Sequence, residues 1–120
     1  MPCRPVRLAL PVLAVLGGPA LADTIAIPLP KGAKPETIRV AYDCGAFGRV
    51  SAQYFNAPPV ALASLSFKGE FVVAANVIAA SGARYAGGKY IWWTKGSSAD
   101  LYDVTLGEGA APIASCISGT

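Results

Sequence analysis

Residues 81–96 read Ser-Gly-Ala-Arg-Tyr-Ala-Gly-Gly-Lys-Tyr-Ile-Trp-Trp-Thr-Lys-Gly, and this stretch constrains the fold most. It holds both tryptophans and two of the five tyrosines, and adjacent glycines sit at its middle. Two glycines between β-prone runs mark a hairpin, because primed two-residue turns need positive φ and glycine reaches it without steric cost. A turn at Gly87-Gly88 sets Ala86 opposite Lys89, Tyr85 opposite Tyr90 and Arg84 opposite Ile91, and brings the ladder to Ser81 opposite Thr94. Ser81 and Lys95 then share the open end of one hairpin, across a strand spacing of about 4.8 Å. Gly82 and Gly96 flank them and let the chain leave the sheet.

The rest of the chain repeats that rhythm. Thr37 to Asp43 alternates, with Ile38, Val40 and Tyr42 on one face, and Arg49 to Phe55 alternates through Val50, Ala52 and Tyr54. Apolar runs at Val60–Ser66 and Glu70–Ile78 flank a Lys68-Gly69 turn, and further strands are predicted at Ala99–Leu106 and Ile113–Ile117. Gly45–Gly48, Asn56–Pro59, Gly96–Ser98 and Gly107–Pro112 supply the remaining turns and loops. Alanine-rich composition leaves helix open at Val60–Leu65 and Phe71–Ala80, but β-branched content and regular turn spacing favour strands. The pattern predicts an all-β domain of eight short antiparallel strands that closes on itself as a small barrel or sandwich.

The first 22 residues form a separate unit. Arg4 and Arg7 precede an apolar run, Leu8 to Leu16, broken only by Pro11, and Ala20-Leu21-Ala22 is a small-x-small cleavage site. The run is too short to span a bilayer. Residues 1–22 are therefore predicted as a secretory signal, 23–36 as an extended lead-in with several prolines, and 37–120 as the folded domain. No cysteine follows the apolar run to carry a lipid, so the mature protein is expected to be soluble, without a membrane anchor. Removing 22 residues from 120 leaves 98, and losing two arginines lowers the net charge from +3 to +1. No Lys/Arg cluster remains, which argues against a nucleic-acid partner.

Of three cysteines, Cys3 falls in the leader, leaving Cys44 and Cys116. In an exported protein such a pair reads as one disulfide. It would close a loop of roughly 70 residues, which contributes about 4 kcal/mol in the chain-entropy model. Two thiols without a single histidine make a poor metal site, so no metal or other cofactor is expected.

An enzyme needs a nucleophile with its base, a metal or paired carboxylates. With no histidine, Ser-His and Cys-His pairs are excluded, and Asp100 and Asp103 face opposite sides of a strand. A Ser81–Lys95 dyad would need burial for which the sequence gives no sign. The chain reads as a non-enzyme. Trp92 and Trp93 point to opposite faces, one into the core, and Tyr85 with Tyr90 forms a cross-strand pair.

Ser81-Gly82-Ala83-Arg84-Tyr85 and Tyr90-Ile91-Trp92-Trp93-Thr94-Lys95-Gly96, followed by Ala99, resemble the paired signature of the periplasmic and membrane-bound inhibitors of c-type lysozyme. That family carries Ser-Gly-x-x-Tyr and Tyr-x-x-x-Thr-Lys-Gly at this separation. Tyr42-Asp43-Cys44 and the late Cys116 also resemble its cysteine frame, and the likeness covers roughly residues 37–117. The resemblance implies an eight-stranded antiparallel barrel that plugs the lysozyme cleft, protecting the bacterial cell wall. It further implies that Ser81 and Lys95 reach the two catalytic carboxylates, with Gly82, Arg84, Tyr85, Tyr90, Thr94 and Gly96 in support. Ser97-Ser98 departs from the acidic residues frequent there. The soluble periplasmic branch is expected, as is weak long-range steering toward strongly basic lysozymes. The rival reading is a small secreted barrel that binds an apolar ligand inside.

Overall fold

The computed structural model describes Pro2, Cys3, Pro11 and residues 23–119. The predicted signal otherwise lies outside the described residues. Eight strands follow one another in chain order: β1 (Glu36–Asp43), β2 (Arg49–Ala57), β3 (Val60–Phe67), β4 (Glu70–Val77), β5 (Ala83–Gly87), β6 (Tyr90–Lys95), β7 (Ser98–Asp103) and β8 (Ala114–Ser118). Each pairs antiparallel with its sequence neighbour, and β8 returns to β1 to close a barrel. Of the two segments left open as helix, Val60–Leu65 lies within β3, and Phe71–Ala80 is strand as far as Val77, the end of β4.

Period-two alternation sends one face of each strand inward. Val50, Ala52 and Tyr54 of β2 meet Ala63, Leu65 and Phe67 of β3, all buried. Trp92, Leu65, Leu101 and Val50 have no measurable exposure and fill the barrel axis. The Trp92 indole N–H donates to the Tyr54 hydroxyl at 2.8 Å, and that hydroxyl lies 2.7 Å from the hydroxyl of Tyr42. Tyr42 in turn meets the Trp92 ring edge-on, centroids 5.0 Å apart. A buried polar group is costly unless paired. Here each of the three polar atoms has a hydrogen-bond partner within the group, so the core holds large rings with every polar atom contacted. The interior that a ligand carrier would need is occupied by side chains.

The closing seam is short. β1 and β8 share only the register pairs Tyr42↔Ser118 and Asp43↔Ile117. Just beyond β1, the Cys44–Cys116 disulfide spans a sequence separation of 72 and holds this edge. Because β8 meets only the end of β1, the first half of β1 extends past the closed core. Of the apolar face of β1, only Tyr42 is therefore buried, whereas Val40 is half-buried and Ile38 is 42% exposed.

Two expectations need correction. The tight turn is Gly88-Lys89, not Gly87-Gly88: Gly87 pairs with Tyr90, Ala86 with Ile91, Tyr85 with Trp92, Arg84 with Trp93 and Ala83 with Thr94. Gly87 stays in the strand because β4 presses on it. A Cβ there would sit 2.3 Å from the Val73 carbonyl oxygen, while Gly88 takes φ +55° in open space. The partners move by two residues, so each side chain keeps its face, but Tyr85 and Tyr90 are not a cross-strand pair. The second correction concerns β7, which ends at Asp103 rather than Leu106. The Asp103 carboxylate accepts from the Thr105 N–H at 2.9 Å and also from its hydroxyl, turning Val104–Leu106 into a single 3-10 turn.

Candidate functional site

The corrected register defines the open end of the β5–β6 hairpin. Ala83↔Thr94 is the last ladder pair, and the Thr94 hydroxyl donates to the Ala83 carbonyl at 3.3 Å. Ser81 and Gly82 lie beyond it. They nevertheless stay against β6, because Gly82 has φ +67° and no side chain. A Cβ at Gly82 would stand 2.2 Å from the Thr94 carbonyl oxygen and 2.8 Å from Cγ of Lys95. The stem of Lys95 thus runs across the glycine that follows Ser81. Sequence spacing places Ser81 opposite Thr94; the ladder sets Ser81 two residues farther out, past its end.

Trp93 occupies the centre of this end. It lies half-buried on the outer face of the barrel, paired with Arg84 on β5 and Asp100 on β7. Its indole N–H donates to the Ser81 carbonyl at 2.8 Å. The Lys95 ammonium lies 4.9 Å from its ring centroid and the Arg84 guanidinium carbon 5.5 Å from it. Both cations fall within the range where the negative ring face attracts charge. The Arg84 Nε is buried and has no hydrogen-bond partner. Ser81 and Lys95 themselves are exposed. Trp93 also walls a groove of about 290 Å³ formed with Ile91, Tyr102 and residues 107–110.

The remaining motif residues divide by position. Gly96 takes φ +59° at the Gly96-Ser97 turn, and Ser98 opens β7 with its hydroxyl donating to the Lys95 carbonyl at 2.9 Å. Ser98 therefore braces the backbone of Lys95. Tyr85 and Tyr90 are both buried. Burial pushes the Tyr85 phenol above its ordinary pKa. Tyr90 lies toward the turn, at the far end of the hairpin, where its hydroxyl donates to the Glu70 carboxylate and its ring meets Phe67 edge-on at 5.1 Å. That hydrogen bond is the main reason its pKa is raised. These tyrosines belong to the barrel wall and core. Ser81, Gly82, Arg84, Thr94 and Lys95 gather at one rim, and the residue that sequence reasoning left out of the set is Trp93. Its place opposite Arg84 emerges only from the true register, since a turn at Gly87-Gly88 sets Arg84 against Ile91 instead.

Among the described residues, no cluster of three or more His, Cys, Asp or Glu side chains could hold a metal ion. The rim offers hydrogen-bond donors and cations on an exposed edge, while the interior is full. Such a molecule is a small closed β-barrel with a filled interior and its exposed cations at the rim. The family model described as "Membrane-bound lysozyme-inhibitor of c-type lysozyme" matches residues 42–107, which include both motifs. The chain is 40% identical over 121 residues to a membrane-bound lysozyme inhibitor of C-type lysozyme from Cupriavidus necator, covering 97% of each. Its fold matches the crystal structure of Pseudomonas aeruginosa MliC in complex with hen egg white lysozyme, with a TM-score of 0.68 and 36% identity over 82% of this chain and 98% of that one. The periplasmic inhibitor PliC-St of Salmonella typhimurium shares the fold at 22% identity and a TM-score of 0.57, over 70% of this chain and 99% of its own. The chain belongs to the family of membrane-bound lysozyme inhibitors of c-type lysozyme. It is a member of a family of inhibitors rather than an enzyme.

Proposed function

We propose that this protein inhibits c-type lysozyme in the periplasm by inserting the Ser81 and Lys95 side chains into the enzyme's active-site cleft. The observation that carries this reading is the rim itself: Ser81 and Lys95 come from separate segments, are both exposed, and are tied to one indole. The cleft of a glycosidase is built around two carboxylates. An ammonium entering it gains a charge-assisted hydrogen bond in partly excluded water, and a neighbouring hydroxyl can donate to the second carboxylate. The family relationship supplies the partner class, since the similar Pseudomonas aeruginosa MliC forms a complex with hen egg white lysozyme. We further propose that the mature form is soluble, because Ala20-Leu21-Ala22-Asp23 offers no cysteine for lipid attachment.

The test is hydrolysis of bacterial cell walls by hen egg white lysozyme, with the mature protein and with Lys95→Ala. Truncating one partner of a desolvated charge pair costs about 2–5 kcal/mol, so inhibition is expected to weaken more than tenfold at unchanged folding. Inhibition that survives the substitution sinks the assignment of Lys95.

A further inference from the structure

We propose that Trp93 is the positioning residue of this rim, holding Ser81 and Lys95 in the arrangement that the partner meets; the functional consequence rests on the reading given above. Ser81 lies outside the β5–β6 ladder, so no strand pairing fixes it. Its carbonyl instead accepts the single N–H of the Trp93 indole at 2.8 Å. A hydrogen bond to the backbone of Ser81 fixes where its Cα stands, and hence where its hydroxyl can reach. Lys95 raises the opposite problem, since a four-carbon stem with free rotamers carries its charge over a wide arc. The ring of Trp93 attracts the ammonium at 4.9 Å, and the absent Cβ of Gly82 leaves a channel for the stem. One side chain thus acts on both groups through different parts of its structure. The N–H holds the serine, and the π face holds the lysine.

The position of Trp93 favours this role over a packing role. The core is completed by its neighbour Trp92, whereas Trp93 points outward between Arg84 and Asp100. Arg84 approaches the same ring at 5.5 Å, and among the described residues it has no ion pair; its buried Nε is unpartnered. Two cations are therefore gathered at one ring with no carboxylate bonded to either among the described residues. Such an arrangement is expected where charge is kept available for an anionic partner group.

The experiment uses the full mature chain with Trp93→Phe, which keeps a ring and loses the N–H, and Trp93→Leu, which loses both. Inhibition of lysozyme is expected to weaken about threefold to tenfold for Trp93→Phe and further for Trp93→Leu, with the urea midpoint nearly unchanged for Trp93→Phe. Each substitution is then repeated in the Ser81→Ala, Lys95→Ala background. A positioning residue has little left to position there, so its effect should shrink toward nothing. A full, additive loss in that background would assign Trp93 a direct contact with the enzyme and overturn the proposal. A second readout needs no lysozyme. The side-chain methylene protons of Lys95 should show a ring-current shift in NMR spectra, retained in Trp93→Phe and lost in Trp93→Leu. The Ser81–Gly82 amides should exchange faster in both variants. Absence of the ring-current shift in the native protein overturns the proposal even if inhibition depends on Lys95. If Lys95→Ala inhibits normally, the functional reading fails, and these NMR measurements still decide the positioning.

Discussion

Trp92 and Trp93 are consecutive, and each donates its indole N–H at 2.8 Å, yet they serve different regions of the molecule. Trp92 points into the barrel and bonds the Tyr54 hydroxyl, joining a closed aromatic group that also includes Tyr42. Trp93 points outward and bonds a backbone carbonyl beyond the ladder, beside two cations. The pleat alone separates them. Interior and rim are thus built from adjacent residues of one strand, but their energies answer to different measurements. The interior should report in unfolding, and the rim in inhibition.

Substitutions can break that separation if it is wrong. The largest effect is expected for Trp92→Ala, at about 3–5 kcal/mol of destabilisation for a fully buried aromatic. Urea denaturation would measure it, against a total stability on the order of 5–15 kcal/mol. Lys95→Ala should do the reverse, removing about 2–5 kcal/mol of binding while leaving the urea midpoint in place. A paired glycine test sharpens the contrast. Gly82 and Gly88 both have positive φ, but only Gly82 has neighbours where a Cβ would stand. Gly88→Ala should cost about 1–2 kcal/mol of stability from backbone strain and spare inhibition. Gly82→Ala must also displace Ser81 from Thr94 and Lys95, so inhibition should fall by more than its stability loss accounts for.

The smallest effect is confined to alkaline pH. Burial raises the Tyr54 phenol well above its ordinary 10.0, despite the opposing hydrogen bond from Trp92. The unfolded chain therefore releases this proton first as pH rises. Stability from Tyr54 is complete below pH 10 and declines above it, by at most about 1.4 kcal/mol per pH unit for one group. Denaturation midpoints taken against pH, with tyrosinate absorbance, would track the loss. Inhibition at neutral pH should be unaffected by this group.

Much of this was legible in the sequence, for reasons that differ between regions. Val50, Ala52 and Tyr54 announced one face of a strand because alternation is a local property, and that face is buried. Cys44 and Cys116 declared their pairing through number alone. The turn was misplaced because Gly87 and Gly88 look alike locally, and the choice between them is made by Val73 on another strand. The early end of β7 was readable in principle, since Asp103 and Thr105 have the spacing of a side-chain turn. Ser81 and Lys95 stood out through motifs. Trp93 did not, because its partner is a carbonyl that any residue at position 81 would provide. Only the register brings the two together.

The closing seam also bears on how the chain reaches this state. Every strand but one pairs with its immediate successor, so nearly all the barrel can assemble as a series of local hairpins. Such contacts form quickly, since little chain entropy is lost before each is made. The β8-to-β1 closure is the exception, joining the two ends of the domain through two register pairs. Once Cys44 and Cys116 are bonded, that distant encounter becomes a short-range one, as though the chain were a ring. With the bond present, the barrel has no slow, long-range step left in its topology. In its absence, the last strand must find the first by diffusion.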